Sequence, residues 1–198
     1  YVLISGSAFC YKIMEDGRRQ ILDLLLPGSV LGFSPSTVTH CGAEAKTACR
    51  FAVLPRNSFM SALMANPELC LKCANHFALA ETRAFDRMSR TGRLGAVERV
   101  AGLIVELATR LHAHEDAGTL YVSLPLKQAE IADMLGLAKE SVCRSLKTLK
   151  KLGLANWHNG TLTIHQFETL AALSGEDYQM SGATELATAR NNRPLIAA

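Results

Sequence analysis

The sequence lacks any apolar run that approaches the roughly 18 residues needed to cross a bilayer, and it shows no recognisable secretory signal. We therefore predict no membrane association. Cysteine is sparse: six cysteines scattered over 198 residues do not resemble the dense framework of a small secreted disulfide scaffold. We expect free thiols and a cytoplasmic protein.

Patterns that carry catalysis are missing as well. No nucleophile stands beside a general base, and no paired carboxylates or glycine-rich phosphate loop occur at a useful spacing. The sequence therefore predicts no enzyme. It does contain 48% hydrophobic residues, which is enough to build packed cores in one or two domains.

Residues 1–65 have the pattern of a β-domain. Tyr11 and Ile13 alternate with polar residues and lead into Asp16-Gly17, a strong signal for a tight turn. Short strands separated by glycine turns predict a small antiparallel barrel or roll. The chain opens inside this pattern, so we expect the first strands of the domain to precede it.

A long helix is predicted over residues 66–92, with Pro67 at its N-terminus. Apolar residues recur along it at three- and four-residue steps, at Leu69, Cys73, Phe77, Ala80 and Ala84. A narrow stripe of this kind suits packing against a twin helix, so we interpret the segment as a dimerisation helix. An ordinary helix that packs on its own core is the alternative.

The same helix carries a C-x-x-C motif. Cys70 and Cys73 would share one face, with His76 three residues further on. Such a set could supply part of a metal site, but cysteine is also a common small apolar residue where helices pack. We therefore predict no metal site.

Residues 93–173 contain the most specific pattern. A third helix is predicted over "AVERVAGLIVELATRLHAH", with Val97, Val100, Leu103, Ile104, Leu107 and Leu111 as its buried face. After a short strand, "LKQAEIADMLGLAKESVCRSLKTLKKLGL" indicates two helices joined at Gly136, where a sharp turn needs a permissive backbone. "ANWHNGTLTIH" predicts a hairpin that turns at Asn159-Gly160. Residues 174–198 are polar and turn-rich, and we expect a flexible tail.

The second of these two helices, from about residue 138 to 152, has one apolar and one charged face. We expect its core side to hold Val142, Leu146 and Leu149. An arc of about 60° on the opposite side holds Glu140, Arg144, Lys147 and Lys151. In a helix-turn-helix, such a ridge enters the major groove of DNA. A solvated amphipathic helix with one salt bridge is the alternative.

The residue types on this ridge suit base recognition. The Arg144 fork matches the O6 and N7 acceptors of guanine, and Glu140 can accept from the N4 amine of cytosine. The two are four residues apart, so we expect them to brace each other. Phosphate contacts, which supply affinity and salt dependence, are predicted for Lys127, Gln128, Lys147, Lys150 and Lys151.

On these motifs the chain resembles the CRP/FNR family of bacterial transcription regulators, over nearly all its length to about residue 174. "GSAFCYKIMEDGRRQILDLLLPGSVLGF" is similar to the family's β-roll. The resemblance implies an α+β protein with a truncated, cyclic-nucleotide-binding-like β-roll, a long dimerisation helix and a C-terminal winged helix-turn-helix. It also implies a homodimer that binds palindromic promoter DNA with TGA-like half-sites and contacts RNA polymerase.

Glu140 and Arg144 match the family's recognition signature, a glutamate followed four residues later by an arginine. Lys139, Ser141 and Cys143 occupy positions that differ among subfamilies and tune the outer bases. Because cations near a thiol raise its reactivity, we hypothesise that oxidation of Cys143 weakens DNA binding. A small residue that merely fits the groove is the alternative, and unchanged operator affinity after peroxide treatment would contradict the hypothesis.

No cofactor is predicted. Cyclic-nucleotide binders of the family carry Gly-Glu-Leu and Arg-Ser/Thr-Ala segments, but here Phe33-Ser34 replaces Glu-Leu and no arginine follows to meet the phosphate. Iron–sulfur members use a cysteine of the roll at the position of Ala52, and Cys49, three residues earlier, would face the other way on the same strand.

The pattern fits best with alphaproteobacterial subfamilies that regulate microaerobic or nitrogen-related genes without a cofactor of their own. The alternative from another class is a ligand- or metal-binding sensor whose output is not DNA binding.

Overall fold

The computed structural model describes residues 1–33, 41–111 and 113–175. The chain divides into two compact units, residues 1–86 and 87–198. Of the tail predicted at 174–198, only Ser174 and Gly175 lie within the described part. No helix among the described residues is long and apolar enough to cross a membrane.

Two antiparallel sheets form the body of the first unit. The strands are β1 (Val2–Ser5), β2 (Ala8–Ile13), β3 (Arg19–Leu25), β4 (Gly42–Ala45) and β5 (Arg50–Ala52). β1 pairs with β5, and β2 lies between β3 and β4. The predicted turn joins β2 to β3, and Gly17 has the positive φ of 82° that favours glycine there. The buried core of this unit contains Leu3, Ala8, Phe9, Ile21, Leu24 and Leu25.

Two helices follow the sheets, α1 (Arg56–Ala65) and α2 (Pro67–Arg93). α2 begins at the predicted proline, whose missing N–H is harmless in the first turn. The side chain of Asn66 caps this end, because its Oδ1 accepts from the backbone N–H of Leu69 at 3.0 Å.

The apolar stripe predicted as the dimer seam of α2 is partly covered within the chain. Leu69, Cys73 and Ala80 are half-buried against their own chain, and the ring of Phe77 stacks on Phe33 with centroids 5.7 Å apart. Phe77 and Ala84 are nevertheless exposed, so the dimer seam stays a prediction beside the alternative of an ordinary packing helix. A second apolar stripe on the opposite face is exposed, with Leu71 62% and Phe85 57% accessible.

The second unit combines helices with one antiparallel sheet. Its elements are α3 (Ala96–Arg110), β6 (His114–Asp116), β7 (Thr119–Ser123), α4 (Gln128–Leu135), α5 (Lys139–Lys151), β8 (Ala155–His158), β9 (Thr161–Ile164) and α6 (Phe167–Leu173). The strand order is β6-β7-β9-β8. β6 and α6 were not predicted: β6 has three exposed polar residues and α6 only seven residues, too few for a period to show.

α3 is the centre of the second unit. It packs against α5, α6 and β7, and every residue from Val100 to Ala108 is buried. The buried surface of α3 therefore extends further around the helix than the one-sided apolar face that was predicted. Along the helix it is shorter than predicted, because Val97 and Leu111, at the two ends of the predicted face, are only half-buried. The α+β architecture of a β-roll, a long helix and a C-terminal winged helix-turn-helix is confirmed.

Candidate nucleic-acid interface

The turn between α4 and α5 forms at the predicted glycine. Gly136 has φ +59° and ψ +42°, a left-handed conformation, and its N–H bonds to the carbonyl of Ala132. The N–H of Leu137 bonds to the same carbonyl at 3.1 Å. These bonds close the last turn of α4 and let the chain reverse into α5 within three residues.

Arg99 of α3 supports this turn, and sequence reasoning missed it. Its Nη2 donates to the carbonyl oxygen of Leu135, the last residue of α4. Burial lowers the pKa of the Arg99 guanidinium. The bond satisfies a carbonyl that the helix leaves unpaired and ties α4 to α3. No local pattern signals it, since the partners are 36 residues apart.

The core face of α5 contains Val142, Ser145 and Leu149, with 0%, 2% and 0% of their surfaces accessible. Through this face α5 packs against α3, α4 and β8. The prediction that Leu146 completes the core face was wrong, because Leu146 is only half-buried. Ser145 is the third buried residue of this face instead.

The four ridge residues, Glu140, Arg144, Lys147 and Lys151, are all exposed, as are Lys139 and Lys150. Because the buried face lies on the opposite side of α5, the ridge points directly away from the core. Charge is also distributed in keeping with the helix dipole, with Glu140 in the first turn and Lys150 and Lys151 in the last.

Arg144 has a different neighbour from the one predicted. Its Nη2 donates to Oγ of Ser141 at 3.3 Å, and no ion pair forms between Glu140 and Arg144, both of which the structure describes. The mutual bracing expected during base reading stays a prediction. Ser141 restrains the guanidinium instead, while the carboxylate and the guanidinium remain exposed side by side on the ridge.

Residues predicted to contact phosphates lie at two places in the motif. Lys127 and Gln128 are exposed at the start of α4. The backbone N–H of Lys127 donates to Oε2 of Glu130 at 2.7 Å, which fixes this end of the helix. Lys147, Lys150 and Lys151 follow on α5.

The wing forms as the sequence predicted. β8 and β9 pair antiparallel, from Ala155 opposite Ile164 to His158 opposite Thr161. Asn159 and Gly160 connect them with φ values of +49° and +78°, the two positive φ angles that a type I′ turn requires. The hairpin extends the sheet through the pairing of β9 with β7.

The cysteines discussed above have distinct surroundings. Cys143 is half-buried on α5 next to Arg144. Cys49 does not lie on the strand as predicted. It precedes β5, and its thiol donates to the carbonyls of Ser7 and Thr47 at 3.1 and 3.3 Å. Burial, and then Cys70, raise the pKa of Cys73. The described residues contain no group of three or more His, Cys, Asp or Glu that could hold a metal.

Fold and site together define a winged helix-turn-helix protein with a β-roll at its N-terminal side. Comparison with protein-family models supports both the helix-turn-helix and the β-roll. The Crp-like helix-turn-helix domain matches residues 98–173, and the cyclic nucleotide-binding domain matches residues 1–66.

Comparison with individual proteins shows which members of this class the chain is similar to. The chain is 36% identical over 179 residues to the nitrogen fixation regulation protein FixK of Bradyrhizobium diazoefficiens, covering 87% of this chain and 73% of the relative. It is 38% identical over 155 residues to the transcriptional activatory protein AadR of Rhodopseudomonas palustris, covering 76% and 63%. The structure of FixK2 from Bradyrhizobium japonicum matches with a TM-score of 0.72 at 29% identity, covering 87% and 85%.

The chain belongs to the CRP/FNR family and is similar to its alphaproteobacterial members, as the sequence motifs indicated. It spans 63% of the length of AadR and 62% of that of FixK from Azorhizobium caulinodans.

Proposed function

We propose that this protein is a transcription regulator that binds palindromic, TGA-containing promoter sites as a homodimer. One observation carries the proposal: the exposed ridge of α5 lies opposite its buried face, and α5 follows a tight turn from α4. This is the geometry in which the second helix of a helix-turn-helix enters the major groove.

Each part of the ridge has its own role in the proposal. Arg144 reads a guanine through O6 and N7, and Glu140 accepts from a cytosine amine. Because the two do not pair with each other, neither must break an ion pair on binding. Ser141 orients the arginine, and Lys139 and Cys143 lie beside it, toward the outer bases.

Lysines around this reading pair supply affinity. Lys127 and Gln128 on α4, with Lys147, Lys150 and Lys151 on α5, contact phosphates and position the helix without reading sequence.

The exposed stripe of α2 supports the homodimer. Leu71, Ala78 and Phe85 are seven residues apart, and Ala74 lies between the first two on the same face. An apolar repeat of seven is typical of a helix that pairs with a copy of itself. Two recognition helices related by this pairing would fit the two half-sites of a palindrome. We extend the proposal to contact with RNA polymerase, which the family resemblance implies, and to a cytoplasmic location.

The signal is proposed to be microaerobic, nitrogen-related or redox in nature, without a cyclic nucleotide or an iron–sulfur cluster. The relatives named as nitrogen fixation regulation proteins support the nitrogen-related signal. Two observations on the β-roll support the proposal that neither cofactor is bound. No arginine occurs between Gly32 and Lys46, a segment of which residues 34–40 lie outside the described part. The Cys49 thiol donates hydrogen bonds to the backbone carbonyls of Ser7 and Thr47 within the roll. The hypothesis that oxidation of Cys143 weakens DNA binding stays a prediction.

The test is to select bound sequences from random DNA with the full-length protein, aerobically and anaerobically. We expect a palindrome with TGA in each half. Arg144→Ala should lower affinity by roughly 1–3 kcal/mol and relax the preference for one guanine. Arg50→Ala, which removes an exposed arginine from β5, is the matched control and should leave both unchanged.

Two outcomes would count against the proposal in different ways. A uniform loss across all sequences would make Arg144 a phosphate contact. Failure of the unmodified protein to enrich any sequence would contradict the function itself.

A further inference from the structure

Two cysteines of the first unit come together in the roll. Cys10 lies on β2, and Cys41 is the residue immediately before β4. In the antiparallel register, Cys10 is opposite Ala43 and Tyr11 is opposite Gly42. Because side chains alternate along a strand, Cys41, two residues before Ala43, falls on the face that carries Cys10. Cys41 is thus the diagonal neighbour of Cys10 on this face, and its side chain is close enough to raise the pKa of Cys10.

Gly42, the residue after Cys41, leaves room for a side chain of β2. A Cβ added at Gly42 would stand 2.6 Å from Cζ of Tyr11, so a larger residue there would displace the tyrosine ring. Both thiols are free and half-buried, so a small oxidant can reach them.

We propose that Cys10 and Cys41 are a redox-active pair that closes to a reversible disulfide. The site is independent of the proposed DNA function, because all its residues lie in the roll. The oxidant is a peroxide, with hydrogen peroxide as the probe.

The chemistry runs in two steps. The Cys41 sulfur attacks one peroxide oxygen and the O–O bond breaks; the Cys41 proton leaves with the departing oxygen as one water, and Cys41 becomes a sulfenic acid. The Cys10 sulfur then attacks the Cys41 sulfur, and the S–O bond breaks. The Cys10 proton leaves with the hydroxyl as a second water. Two thiols and one peroxide thus give one disulfide and two waters.

The order of the two thiols follows from their surroundings. Burial, then the hydrogen bond and charge of Cys41, and then the charge of Asp23 raise the pKa of Cys10 to about 12. The raised pKa makes Cys10 a poor first nucleophile, because the thiolate is the reactive form of a cysteine. We therefore assign the first attack to Cys41, and Cys10 resolves the sulfenic acid as its proton passes to the departing hydroxyl.

Tryptic mapping can isolate this pair from the other four cysteines. Cleavage after Lys12, Arg19, Lys46 and Arg50 places Cys10 in the peptide that ends at residue 12. Cys41 falls in the peptide 20–46, and Cys49 falls separately in 47–50. A disulfide between the first two peptides is therefore diagnostic.

The experiment treats the full-length protein with equimolar hydrogen peroxide, blocks remaining thiols with iodoacetamide and maps the digest by mass spectrometry. We expect one crosslinked species joining the peptides of Cys10 and Cys41, lost after dithiothreitol. Cys10→Ser and Cys41→Ser should each abolish it, and Cys70→Ser should retain it.

The unmodified protein alone decides the outcome, whether or not the variants fold. Recovery of Cys10 and Cys41 as alkylated thiols would overturn the proposal, as would disulfides that join either of them mainly to another cysteine. Circular dichroism of each variant shows whether a lost crosslink reflects the missing thiol or a lost fold.

Discussion

At the scale of single residues, the strongest electrostatic feature is the carboxylate of Glu106 on α3, which three arginines share. Arg87 Nη2 lies 2.5 Å from Oε1, and Arg110 Nη1 lies 3.0 Å from the same oxygen. Arg90 Nη2 lies 3.7 Å from Oε2. The Glu106 side chain is only 7% exposed, so solvent screens these pairs weakly.

Glu106→Gln should destabilise the second unit by about 3 kcal/mol. The substitution keeps the shape of the side chain but leaves three neighbouring positive charges without the carboxylate that they share. The measurement is urea unfolding of the full chain, followed by fluorescence of Trp157, the only tryptophan of the sequence, which lies in the same unit on β8.

Glu115→Gln is the matched control, because Glu115 is an exposed carboxylate of the same unit on β6. Its change in free energy of unfolding should stay within roughly 0.5 kcal/mol. Equal effects of the two substitutions would show that the shared carboxylate contributes little to stability.

Sequence reasoning identified exposed residues of the recognition helix better than residues whose contacts stabilise the fold. Glu140 and Arg144 were predicted to be exposed because the local helical period places them opposite the apolar face. Their mutual bracing was predicted from spacing alone and stays a prediction; in the structure Arg144 bonds to Ser141, three residues away. Arg99 was missed because its partner is 36 residues away. Glu106 was missed because two of its three arginine partners, Arg87 and Arg90, lie on another helix.

At the scale of elements, the exposed stripe of α2 makes the homodimer testable. Leu71→Asn should weaken self-association at least roughly 10-fold, because burial of a leucine is worth about 1.5–3 kcal/mol and 1.4 kcal/mol is tenfold. The dimer dissociation constant is measured by sedimentation equilibrium of the full-length protein.

Leu79→Asn provides the matched control on the same helix. Leu79 is 47% exposed but lies about 80° from Leu71 around the helix axis, away from the stripe. Its substitution should leave the dissociation constant unchanged. If both leucines matter equally, or neither does, the two copies do not pair through the stripe.

The elements themselves were predictable where the signal is local. α5 and the β8–β9 hairpin follow from a helical period and an Asn-Gly turn. β6 has no apolar residue to reveal it, and its pairing with β7 is visible only in the folded chain. The partner of the predicted α2 stripe could not be assigned from the sequence, because a helical period shows which residues share a face but not what covers that face.

At the scale of the whole molecule, charge is close to balanced. The formal net charge is +3 over 198 residues, so no strong overall field draws the protein to DNA. On the proposed function, we expect affinity for DNA to come from a few lysines of the helix-turn-helix that contact phosphates. The salt dependence of binding would then report the number of those contacts.

Lys147→Ala should make the salt dependence of operator binding shallower. Each phosphate contact contributes about 0.9 to the slope of log K against log salt, so a homodimer that loses one contact per subunit should lose roughly 2 from the slope. Fluorescence anisotropy titrations of one labelled operator at several salt concentrations give the slope, and Lys72→Ala on α2 removes the same charge as a control. The control should keep the original slope. An unchanged slope for Lys147→Ala, combined with a lost preference at one base pair, would instead make Lys147 a base-reading residue, since a phosphate contact carries no sequence information.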